Sequence, residues 1–71
     1  MRRQGLPLYG ARFCGNTNPT KREVHDLDNE KGQCQVDEII RAGHAMPFQV
    51  LHEALAEGLD RCAWCIGGSL R

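Results

Sequence analysis

Cys62-Ala63-Trp64-Cys65, near the end of the chain, governs how the rest of the sequence can fold. Two thiols separated by two residues in a turn can both reach one tetrahedral metal ion, because the turn curls the backbone around it. A further soft ligand must come from upstream. Cys34 is the nearest such residue, with 27 residues between it and Cys62, and the fourth donor is His25 or Cys14. Each of these has a plainer reading as well: a buried cysteine packs like a small apolar residue, and a histidine on a strand is often only a polar surface group.

Zinc suits such a donor set, since it takes thiolate and imidazole in a tetrahedron and needs no redox chemistry. Three thiolates, a neutral imidazole and Zn²⁺ leave the site with a charge of about −1. The chain needs such a staple. It has 71 residues, of which 7 Leu, 3 Ile, 3 Val and 2 Phe supply most of the large apolar side chains. A chain this short buries only about 60% of its unfolded surface and rarely folds alone without a disulfide set, a metal or a partner. Metal binding acts there as folding free energy, about 10–16 kcal/mol in small finger peptides.

Outward from the knuckle the expectations are local. Val50, Leu51, Ala54, Leu55 and Leu59 form an apolar stripe at spacings of three and four, a helix that Gly58 ends. His44 to Phe48 reads as a short strand, with Pro47 confining it to an edge. Val36, Ile39 and Ile40 mark a short helix with Asp37 and Glu38 in its first turn and Gly43 at its end. Glu23 to Leu27 reads as a strand, followed by a loop over Asp28 to Gly32. Tyr9, Ala11 and Phe13 alternate, which predicts a strand over Leu8 to Cys14. Gly15-Asn16-Thr17-Asn18-Pro19 predicts the reversal into a hairpin. Trp64 is expected as an apolar lid over the metal turn, and His44 and His52 as surface residues. The sum is an α+β unit: a zinc-stabilised β-hairpin or short three-stranded antiparallel sheet with two short helices.

Charge is balanced at nine basic and nine acidic residues, but unevenly placed. Arg2, Arg3, Arg12, Lys21 and Arg22 precede the first acid. From Glu23 to Asp60, nine acids face only Lys31 and Arg41, a balance of −7. A basic end on an acidic body can steer weak contact with nucleic acid or an acidic protein face, although a solvated tail is the simpler reading. The scattered aromatics do not make a nucleic-acid stripe. Length excludes barrels and dinucleotide-binding folds, and no apolar run reaches the ~18 residues of a membrane span. The start lacks the apolar stretch of a signal peptide, so the chain reads as soluble and cytoplasmic.

Phe13-x-Gly15-Asn16, Val24-His25, Cys34, Phe48, Glu53-Ala54 with Glu57-Gly58, and Cys62-x-x-Cys65 together resemble the small Ada-like zinc module. That module occurs at the N-terminus of the Ada repair protein and as a tail on bacterial nucleases. The strings Val24-His25-Asp26-Leu27, Cys34-Gln35-Val36-Asp37-Glu38-Ile39, Ala42-Gly43-His44-Ala45 and Cys62 to Ser69 are similar, more narrowly, to a group of small uncharacterised bacterial proteins. The resemblance covers about Phe13 to Arg71. It implies one Ada-like domain, taken over residues 8–71, with His25, Cys34, Cys62 and Cys65 as zinc ligands; residues 1–7 read from their own composition as a flexible basic arm before it. Eight residues separate His25 from Cys34, more than in the nuclease tails, so the exit from the hairpin is a longer loop. The alkyl transfer of the repair protein does not carry over.

Function then divides three ways. A monomeric structural zinc module would contact a protein partner or, weakly, nucleic acid. A thiol redox protein would use Cys62 and Cys65 without metal. Such a pair normally opens a helix that lowers a thiol pKa, and only six residues, including Gly67-Gly68, follow Cys65. An enzyme is disfavoured, because four protein ligands leave no position for catalytic water and no nucleophile–base pair stands out.

Overall fold

The computed structural model describes residues 2–67. Four strands form one sheet: β1 (Phe13–Asn16), β2 (Glu23–Asp26), β3 (Ala45–Phe48) and β4 (Asp60–Arg61), in the order β3-β1-β2-β4. β1 lies antiparallel to β2 and β3, while β4 runs parallel to β2. Two helices, α1 (Val36–Arg41) and α2 (Leu51–Ala56), complete an α+β fold. At six residues each they are too short to stand without packing. Gly43 at φ +79° and Gly58 at φ +87° end them as the sequence anticipates, because only glycine enters that region without a Cβ penalty.

The three anticipated strands are present, with shifted edges, and β4 is an addition. Its ladder is made by the main chain alone: the Asp60 amide donates to the Arg22 carbonyl at 2.9 Å, and the Cys62 amide to the Val24 carbonyl at 3.1 Å. Hydrogen bonding of this kind leaves no pattern in side-chain hydropathy.

The strand expected from Leu8 begins only at Phe13. Residues 6–10 are a turn instead, in which the Leu8 and Tyr9 amides both donate to the Gly5 carbonyl and the Gly10 amide reaches the Arg3 carbonyl. Leu8 is buried and Tyr9, at φ +48°, is exposed. The expected reversal at Gly15 also moves. Gly15 and Asn16 belong to β1, and the chain turns over residues 17–22. A Cβ on Gly15 would lie 2.6 Å from Phe48 Cε2 and 2.7 Å from Leu59 Cδ1, so this glycine serves close packing of the sheet.

Residues paired across the ladder share a face of the sheet. Cys14 lies opposite His25, and Asn16 opposite Glu23, on one face. Phe13 lies opposite Phe48, and Gly15 opposite Val24, on the other. There Phe13, Val24 and Phe48 pack with Ala54 of α2 and Leu59. The first face carries Leu8, Cys14, Leu27, Cys34, Val36, Ile39, Cys62 and Cys65. Ile66 touches both clusters.

The N-terminal segment lies against the loop that follows β2. Arg2 makes a paired contact with Asp28, at 2.8 and 2.9 Å. Arg3 bridges Glu30 and Asp37, at 2.6 Å to each, and Arg12 lies 3.5 Å from Asp26. No helix among the described residues is long and apolar enough to cross a membrane.

Candidate metal centre

His25 stands in β2, paired with Cys14 of β1, one residue beyond the Val24–Arg61 pair with β4. Cys34 ends a 3-10 turn over Gly32–Cys34, with its amide donating to the Lys31 carbonyl at 3.0 Å. Gln35 then takes a left-handed conformation (φ +52°), and its carbonyl receives the first amides of α1. That conformation is uncommon outside glycine and asparagine. Here it turns the chain sharply between the Cys34 side chain and the helix.

Cys62 follows β4 directly and opens the knuckle. The Ile66 and Gly67 amides both donate to its carbonyl, at 3.1 and 2.9 Å. The knuckle is tied to the far side of the loop at two points. The Asp26 amide donates to Cys65 Sγ at 3.2 Å, and Asn29 Nδ2 to the Cys65 carbonyl at 2.8 Å.

These elements bring His25, Cys34, Cys62 and Cys65 together, all buried, with one donor atom from each lying within 4.8 Å of the others. Cys34 Sγ is 3.8 Å from Cys62 Sγ, and Cys65 Sγ is 3.9 Å from His25 Nδ1. The four can hold a metal ion. Cys14, the other sequence candidate for the fourth position, stands outside the group. It is fully buried opposite His25, with its thiol directed toward the Gly15 carbonyl at 3.9 Å.

Burial dominates the electrostatics. It pushes the Cys65 and Cys34 thiols above their ordinary range, with the Asp26 and Lys31 backbone contacts pulling the other way. Cys14 is pushed up to about 12, first by burial and then by the nearby Glu30 carboxylate. Burial also lowers the His25 pKa, with Glu30 opposing it, so the imidazole is held neutral. Neutral imidazole is the ligand form, whereas thiolates in this setting need a cation beside them.

The outer partners of the knuckle, Asp26 through its amide and Asn29 through its side chain, were not legible in the sequence. A polar residue in a loop carries no mark of the carbonyl it will hold. Trp64 departs from expectation in the opposite sense. It is 60% exposed rather than packed as a lid, because the two cysteines turn inward and Ala63 and Trp64 between them turn out. It borders instead a cavity of about 270 Å³, to which His25, Cys34 and Cys62 also contribute.

No protein-family model, curated protein or solved structure matches the chain.

Proposed function

We propose that this protein is a small structural module closed by one zinc ion on His25, Cys34, Cys62 and Cys65, and that it works by contact with a protein partner. The convergence of four buried donors from three separated parts of the chain carries this reading. Bonds of about 2.3 Å to sulfur and 2.0 Å to nitrogen give tetrahedron edges of about 3.8 Å between sulfurs and 3.6 Å between sulfur and nitrogen. The Cys34–Cys62 separation of 3.8 Å is already such an edge. The donor chemistry, soft thiolates with one imidazole, favours zinc over hard cations. The order of hairpin, cysteine, helix, strand, helix and knuckle agrees with kinship to the Ada-like modules.

The raised pKa of the Cys65 thiol weighs against a metal-free Cys62/Cys65 redox pair, which depends on a ready thiolate. A protein partner is favoured over nucleic acid because Arg2, Arg3 and Arg12 already face carboxylates. Few phosphates remain to be neutralised, so contact with nucleic acid is weak and disappears at physiological salt.

Native mass spectrometry tests the reading. One zinc per chain, lost to a chelator together with the compact charge states, is the expected result. A two-proton mass loss on oxidation with no metal dependence would favour the redox pair. Comparing His25→Ala with Cys14→Ala assigns the fourth ligand: affinity falls steeply in the first and little in the second.

A further inference from the structure

The cavity beside the candidate centre has a definite relation to the four donors. Its walls include His25, Cys34 and Cys62 but not Cys65. Cys65 lies on the opposite side, where its sulfur accepts the Asp26 amide and its carbonyl holds Asn29. Three of the four donor residues thus border the cleft, while the fourth, Cys65, is held by Asp26 and Asn29. Asn16 and Glu23, which share the His25 face of the sheet, form one side of this cleft. Glu38 and Ala42 of the α1 region form another, and exposed Trp64 stands at its edge.

Building on the zinc reading, we propose that this cleft is the route of metal exchange. A thiolate or imidazole on a flexible segment of another protein would take the ion through the His25–Cys34–Cys62 face, making the module a metal donor as well as a structural unit. Tetrahedral zinc can accept a fifth ligand transiently. The incoming donor's lone pair forms the new bond, and the bond to the Cys34 or Cys62 thiolate breaks with its electron pair kept on sulfur. The incoming thiolate or neutral imidazole has no proton to give, so the released sulfur stays a thiolate until solvent protonates it. No electrons change oxidation level. Cys65, held from behind, is released last. A site can be tightly bound and still exchange, because affinity is set by the bonds while rate is set by access to them.

Transfer of zinc from the loaded full-length chain to pyridylazoresorcinol, followed by absorbance, tests this. The rate should rise with chelator concentration. Filling the cleft by Ala42→Trp should slow transfer severalfold, and removing its edge by Trp64→Ala should speed it, while equilibrium affinity stays near that of the unaltered chain. Gln33→Trp, at another exposed residue of the wall, provides an independent block if Ala42→Trp folds poorly. A rate independent of chelator concentration and equal in the unaltered chain, the blocked variant and Trp64→Ala overturns the proposal, since the ion then leaves by unfolding. Failure of the chain to take up zinc at the loading step defeats the metal reading itself, a result distinct from normal uptake with indifferent kinetics.

Discussion

On one face of the sheet Phe13, Val24, Phe48, Ala54 and Leu59 interdigitate around the gap left by Gly15. On the other, four of the eight buried core residues are cysteines and there is no aromatic ring. The first face is closed by apolar contact between rings and aliphatic chains, which holds wherever water is excluded. On the second, the thiols share the interior with Leu8, Leu27, Val36 and Ile39. Its buried thiols are held against ionisation chiefly by burial, and they gain strong mutual attraction only through a shared cation. One sheet thus separates a face packed by rings and aliphatic chains from one whose buried donors can hold a metal ion.

The largest expected effect lies on the thiol face. Chelation, or Cys62→Ser, removes metal-linked free energy on the order of 10 kcal/mol, more than a domain of this size has to spare. Circular dichroism and amide NMR dispersion should collapse together in both cases. Phe48→Ala acts on the other face and should cost about 3–5 kcal/mol through the lost ring and the cavity left behind. Its signature differs: thermal stability falls while the thiolate-to-cobalt absorption of the cobalt-loaded chain keeps its shape. Gly15→Ala overfills the same face, with a cost of about 1–3 kcal/mol by the same assay.

Titration distinguishes the faces again. His25 binds its proton less readily when folded than its ordinary 6.5, so stability, and with it the neutral ligand form, is lost as pH falls through that value. Cys14, raised from 9.0 to about 12, contributes stability that is complete below 9.0 and is lost as pH rises toward 12. Denaturant midpoints of the metal-loaded chain should therefore peak between pH 6.5 and 9.0 and decline on both sides. Cys14→Ala should remove much of the alkaline decline. The smallest effect is Arg3→Gln, about 1 kcal/mol and smaller at high salt, because its pair with Asp37 is solvated and its pair with Glu30 only partly buried.

Legibility in the sequence follows the range of the forces involved. α1, α2 and β3 were readable because apolar spacing and helix-ending glycines are local signals. The Cys-x-x-Cys knuckle was readable because its two donors lie within one turn. β1 was displaced because the same glycine can make a turn or admit a neighbouring ring, and only the position of Phe48 and Leu59 decides between them. Tyr9 and Phe13 shared a parity by coincidence, as the Gly5 carbonyl folds the intervening chain into a turn. β4 could not be seen, since two residues joined by main-chain bonds have no periodicity. The choice between His25 and Cys14 stayed open on the residues alone because both sit on one face in register. Their separation depends on where the loop delivers Cys34.

The distinction between the two faces is tested most directly by titrating cobalt(II) into the reduced, metal-free chain while recording visible absorption and amide NMR together. The account predicts a sharp break at one ion per chain, bands of a tetrahedral thiolate-rich centre, and resonances that disperse in step with those bands. The same break should persist in Cys14→Ala and vanish in His25→Ala with Cys34→Ala. Well-dispersed resonances before any cobalt is added, unchanged as the ion binds, would contradict it.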